Sequence, residues 1–267
     1  MTYLNFLLVF IVPAVVLAAL ITYRDARAER RLPSALRARS AGAVLLAHVL
    51  VALLYTTPWD NYLVATRVWW YNPQLVLGIT LGWVPLEEYI FFVLQTALTG
   101  WLLLALHRRL TAAPALPVPA AATLRAVGCG VAGAFWLAAL WPLAAGWQPG
   151  IYLALVLLWA LPPIALQLAV GADVLWQQRR AVGGALLAAT LYLAAADFSA
   201  ISSGTWTIDP AQSLGRFIAG TLPVEELIFF FLTNTLVVFG ITLVISRRMN
   251  LRAQALLDAW RNARRPA

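Results

Sequence analysis

The chain has 267 residues, a formal net charge of +8, 62% hydrophobic and only 11% charged residues, and a mean hydropathy of +0.80. Soluble domains are about 45–50% apolar and about 25% charged, so the composition excludes a soluble domain and predicts an all-α integral membrane protein; no run alternates like a membrane barrel strand. Every basic residue is Arg, so a retinal protein, which needs a Lys amine for its Schiff base, is excluded too.

Helix 1 is expected over about Thr2–Tyr23, as a retained span rather than a signal peptide, because its apolar run is long and no short basic region precedes it. The arginine-rich segment Arg24–Ser40 follows, then helix 2 over about Ala41–Thr57. The loop Pro58–Pro73 carries Trp59, Asp60, Arg67, Trp69, Trp70 and Tyr71, an aromatic stretch suited to a membrane interface. Leu75–Leu106 is too long for one straight span; Gly78, Gly82 and Pro85 break it into a short lead-in and a helix 3 from about Leu86, with Pro85 in the first turn. His107–Arg125 is a basic loop containing the linker Thr111–Thr123. Helix 4 is expected over about Ala126–Ala145 and helix 5 over about Ile151–Trp176, kinked at Pro162-Pro163. Helix 6 over about Val182–Asp197 leads to the loop Phe198–Gly215. Leu214–Ser246 repeats the broken-span pattern around Pro223, before a basic tail Arg247–Ala267.

Seven spans place Arg24–Arg39, Arg108–Arg125, Arg179–Arg180 and Arg247–Arg265 on one side, seventeen of the nineteen arginines. The charge therefore marks topology rather than nucleic-acid binding, and predicts a multi-pass cell-membrane protein with its N-terminus outside and its C-terminus cytoplasmic. The octet Pro85-Leu86-Glu87-Glu88-Tyr89-Ile90-Phe91-Phe92 returns 138 residues later as Pro223-Val224-Glu225-Glu226-Leu227-Ile228-Phe229-Phe230. Asp60 matches Asp197, Trp69 matches Trp206 and Asn72-Pro73 matches Asp209-Pro210, each 137 apart; Tyr3-Leu4 and Pro13 match Tyr152-Leu153 and Pro162, 149 apart. The expected organisation is two parallel three-helix repeats, residues 1–110 and 149–267, joined by a linker and helix 4 over 111–148; repeats of this kind can place a shared site between the halves, and the sequence leaves one shared site or two open.

An ionised Glu within a bilayer is costly, so Glu87, Glu88, Glu225 and Glu226 mark a functional site. Adjacent helix residues diverge by about 100°. One Glu of each pair can therefore face the bundle centre, while the other pairs with Arg67 or Arg216 or lies nearer the interface. Phe91, Phe92, Phe229 and Phe230 set aromatic rings on the carboxyl faces. A carboxyl out of water holds its proton more readily, and ring faces stabilise cations. Together they suit carbocation chemistry on a hydrocarbon; the competing reading is a pair of structural ion pairs with Arg67 and Arg216. Asp60 and Asp197, at the outer ends of helices 2 and 6, serve as a second acid or base, orient a Glu, or simply cap a helix. A proton-coupled transporter would also repeat its carboxylates, but the lower halves of helices 3 and 7 offer few polar groups. A membrane scaffold leaves the four Glu unexplained.

Other motifs carry no chemistry. Gly128-Cys129-Gly130-Val131-Ala132-Gly133 fits G-x-G-x-x-G but follows no strand, so helix packing is expected of it, as of Gly78 and Gly82. The lone Cys129 excludes a disulfide framework. His48 and His107 lack a second nitrogen ligand, so no metal site is expected. Aspartate-rich motifs for magnesium-diphosphate chemistry are absent.

The duplicated octets, the upstream Asp pair and the three-helix duplication resemble the flavin-free membrane lycopene cyclases, and the chain looks like the form in which that family's two small subunits are fused. The resemblance implies an isomerase-type intramolecular lyase without cofactor or metal, acting on lycopene or a related carotenoid in membrane lipid. Self-association or association with other carotenoid enzymes is the expected protein partnership. It carries catalytic roles to Glu87, Glu88, Glu225 and Glu226 and, with differing flanks, to Asp60 and Asp197. Phe91, Phe92, Phe229, Phe230, Trp69 and Trp206 are the expected substrate contacts. In the family reaction an acid protonates the terminal C1=C2 bond, C5=C6 attacks the C1 cation, and a base removes a proton, with no net redox change. The alternatives are a C50 carotenoid cyclase or a carotenoid hydratase. Tyr89 becomes Leu227 in the second copy, so the halves are not equivalent.

Overall fold

The computed structural model describes residues 1–263; Arg264 and Arg265 of the basic tail lie outside the described residues. Among these, seven helices are long and apolar enough to cross a membrane: α1 (Tyr3–Arg27), α2 (Ala41–Ala65), α3 (Leu86–Arg109), α4 (Val118–Ala144), α5 (Gln148–Gln177), α6 (Arg179–Ser202) and α7 (Val224–Ile245). An eighth helix, α8 (Arg247–Ala263), follows. The core lies along α3 and α7, whose apolar windows are 56% and 61% buried, whereas α4, at 11%, is peripheral and packs on α5. A polar seam joins the two central helices: Gln95 Nε2 donates to Thr233 Oγ1 at 2.9 Å, and Thr99 Oγ1 to Asn234 Oδ1 at 2.7 Å.

One end of the bundle is basic. Arg109 grips Asp25 at 2.6 Å, while Arg125, Arg248 and Arg252 converge on Asp173. The other end is built from the two long loops. β1 (Trp69–Tyr71) pairs antiparallel with β4 (Trp206–Ile208) in the register Trp69↔Ile208, Trp70↔Thr207, Tyr71↔Trp206. The pairing is reciprocal: the Asn72 amide donates to the Thr205 carbonyl at 2.9 Å, and the Asp209 amide to the Val68 carbonyl at 2.8 Å. Two hairpins, β2 (Thr80–Leu81) with β3 (Val84–Pro85) and β5 (Phe217–Ile218) with β6 (Leu222–Pro223), deliver the chain into α3 and α7.

Several expectations are corrected. Pro58 does not end helix 2; α2 runs on to Ala65, and Asn61 Nδ2 donates back to the Thr57 carbonyl at 2.9 Å. Helix 6 likewise continues to Ser202, so Asp60 and Asp197 lie inside helices, each five residues before the last. Pro85 is the N-cap of α3 rather than part of its first turn. Helix 4 starts at Val118, because Pro119 takes the first turn, where its missing N–H costs nothing. Pro162 and Pro163 lie inside α5, whose non-helical backbone is at Gly171 (φ −147°). Gly78 and Gly82 are turn residues with φ of +79° and +68°, not helix-packing glycines; a Cβ on Gly82 would also run into the Asn61 amide. In α4 only Gly128 faces a neighbour, Leu168 of α5.

Candidate active site

The hairpins set where the carboxyls fall. Glu87 and Glu88 lie in the first turn of α3, and Glu225 and Glu226 in that of α7, where the helix dipole favours negative charge. Within each pair the two residues part ways. Glu87 Oε1 accepts the Leu77 amide at 2.6 Å, and Glu225 Oε1 the Leu214 amide, also at 2.6 Å. These carboxyls fasten the lead-in loops to the helix starts, and no ion pair among the described residues joins Arg67 or Arg216 to a Glu. Arg67 instead lies 5.5 Å over the Trp70 ring.

Glu88 and Glu226 turn inward. Glu88 Oε2 accepts Tyr3 Oη at 2.5 Å and Tyr71 Oη at 3.0 Å, while Glu226 Oε1 accepts Tyr152 Oη at 2.6 Å. Tyr3 and Tyr152 open α1 and α5, and each is held by its own amide, which donates to the Leu75 and Gln212 carbonyls at 2.7 and 3.0 Å. Burial, with the charges of Asp60 and Glu88 beside it, raises the Tyr71 phenol well above its ordinary value, so it stays a donor.

Glu88, Glu226 and Asp197 share one cavity of about 40 Å³, walled by Tyr3, Phe6, Trp69, Tyr71, Phe91, Tyr152, Trp206, Ile208, Phe229 and Phe230. Asp197 Oδ1 accepts Trp206 Nε1 at 2.9 Å and its other oxygen has no partner. Asp60 is buried outside this lining, within electrostatic range of Glu88; neither of its oxygens nor Trp69 Nε1 has a partner. The two halves thus carry the same residues in different hydrogen-bonding states. Of the six aromatic contacts expected from the sequence, Trp69, Trp206, Phe91, Phe229 and Phe230 line the cavity, and Phe92 faces a second one. Sequence reasoning did not assign the three phenols a role. Tyr3 and Tyr152 carried a signal, their recurrence in the repeat; Tyr71 carried none, since Ile208 stands at the matching position.

Glu88 and Glu226, which face the aromatic cavity beside Asp197 and each accept at least one phenol, can give and take a proton on an apolar ligand while the rings face a cation.

The lycopene cyclase family model matches residues 1–106 and 149–244. The lycopene beta-cyclase of Halobacterium salinarum is 42% identical over 91% of this chain and 95% of its own length. The bifunctional lycopene cyclase/phytoene synthases of Podospora anserina and Blakeslea trispora are 34% and 33% identical over 72% and 80% of this chain, which spans 33% and 35% of theirs. No solved structure matches. A family-model match over residues 1–106 and 149–244, together with a relative 42% identical over 91% of the chain, means that this protein belongs to the lycopene cyclase family.

Proposed function

We propose that this protein cyclises the acyclic ends of lycopene to β rings, with Glu226 as the acid and Glu88 as the base. The observation that carries the reading is the meeting of these two carboxyls, one from each half, in a single aromatic cavity. Glu226 gives its proton to C2 of the terminal double bond, leaving a cation at C1. The C5=C6 electrons close the C1–C6 bond and move the cation to C5. Glu88 takes the proton from C6, and the C5=C6 bond of a β ring forms. The assignment follows the donors: Glu88 accepts two phenols, which suits a group that receives a proton, and Glu226 accepts one. Phe91, Phe229 and Phe230 turn their rings toward the cationic carbon. Asp197 and Asp60 bond neither Glu and act on Glu226 and Glu88 through their charge alone. Glu87 and Glu225 hold the loops.

The reciprocal strand pairing and the repeated Tyr–Glu bonds support reading residues 1–110 and 149–267 as two copies about an approximate two-fold axis, the relation in which i meets j and j meets i. The clustering of Arg at the opposite end supports a cytoplasmic C-terminus and an active site toward the outer face.

The test is pigment analysis of lycopene-accumulating cells expressing the chain. Bicyclic or monocyclic β-ring product is expected. Glu88→Gln and Glu226→Gln should each lower conversion by about 100-fold or more, the range of a lost general acid or base. Unchanged lycopene with the protein present in the membrane, or full activity in both variants, would refute the assignment.

A further inference from the structure

We propose that a second cavity, between α2 and α5, is the channel that holds the polyene, and that Phe229 is the gate between it and the acids. The proposal rests on the cyclase reading above. The channel measures about 240 Å³ and is walled by α2, α3, α5 and α7, with Ala52, Phe92, Trp159 and Val237 among its apolar faces. Its mouth lies on the flank of the bundle, where Val51 is 60% and Tyr55 43% exposed. That surface belongs to membrane-spanning helices and meets lipid rather than water. Of the polar side chains on the wall, Gln95 bonds Thr233, Tyr55 donates to the Trp159 carbonyl, His48 bonds the Val44 carbonyl and Gln167 donates to the Leu236 carbonyl. Among the described residues this leaves Gln167 Oε1 as the buried unpartnered polar atom in a wall otherwise suited to shape recognition. A long, stiff, apolar polyene has that character.

The acid cavity, at about 40 Å³, is too small for the ring that must form there; a cavity that admits benzene is on the order of 150 Å³. Among the described residues, Phe229 alone lines both spaces. Its ring stacks on Trp59 and Trp159, with centroids 5.7 and 6.4 Å apart, and meets Phe230 edge-on at 5.3 Å. Rotation of this one ring joins the two volumes, bringing the end group to Glu88 and Glu226 while the rest of the polyene stays in the channel.

Two measurements in proteoliposomes test this. Ala52→Phe fills the channel and should raise KM for lycopene about tenfold or more with little change in kcat. Leu54→Phe, on the same helix but 76% exposed and outside the lining, should leave both unchanged. Separately, Ala52→Cys in a Cys129→Ala background places the protein's sole thiol in the channel wall. Lycopene at about ten times its dissociation constant should slow maleimide labelling there about tenfold; lipid acyl chains are present in both arms. Equal labelling with and without lycopene, or an Ala52→Phe variant that turns over like Leu54→Phe, overturns the channel. Protection of the thiol without any cyclic product would overturn the cyclase reading and leave the channel standing.

Discussion

Glu225 and Glu226 are neighbours in the chain and differ in what they touch. Glu226 faces a phenol and the cavity; Glu225, fully buried, takes the Leu214 amide and leaves its second oxygen bare. Glu225→Gln keeps the acceptor but buries an unpartnered amide, which costs about 1–3 kcal/mol. We therefore expect Glu225→Gln to lower Tm in detergent while conversion per folded protein stays within about tenfold of wild type, and Glu226→Gln to do the reverse. Equal losses of activity from both would show that the pair works as one unit. The sequence made the four Glu conspicuous, since nothing else explains acid in a bilayer. It did not say which of each pair turns inward, because that choice depends on where the loops before β2 and β5 present the Leu77 and Leu214 amides. The Tyr3 and Tyr152 match was visible too, but was used only to align the repeats; a phenol gains meaning once its partner carboxyl is in place.

The spans themselves were legible from composition, and their ends were not. The sequence suggests a stop at Pro58, although an intramembrane helix can continue through a proline, as α2 does to Ala65. The sequence shows the tail as basic; in the structure it forms α8, with Leu251, Leu256 and Leu257 exposed along it. What docks α8 is Asp173, whose side chain has no exposure and takes Arg252 at 2.6 Å, with Arg125 and Arg248 at 3.1 and 3.3 Å. The arginines remain partly exposed, so screening discounts the pair below a fully buried one. Asp173→Asn should cost about 2 kcal/mol and expose the arginines of α8 to trypsin in the folded protein. A digestion pattern identical to wild type would mean that α8 is held by other contacts.

At the scale of the whole molecule, the proposed site draws on both ends of the chain. Tyr3, Tyr71 and Glu88 come from one half, Tyr152, Asp197 and Glu226 from the other, and β1–β4 ties the loops above them. Cutting the chain between residues 111 and 117, in the loop between α3 and α4, separates the halves without cutting a helix. Each fragment alone should convert no lycopene, and the two co-expressed should recover at least about a tenth of intact activity, since re-association restores an intramolecular geometry at lower effective concentration. Cyclic product from a single fragment would place a complete site within one half. The flank opening beside Val51 and Tyr55 has a consequence for how such an enzyme meets its ligand. A mouth that faces the bilayer samples a two-dimensional solvent, so saturation follows the carotenoid's mole fraction in the membrane and not its amount per volume of cell. Diluting the pigment with more lipid then starves the enzyme even when total pigment is unchanged, and membrane growth becomes a brake on cyclisation.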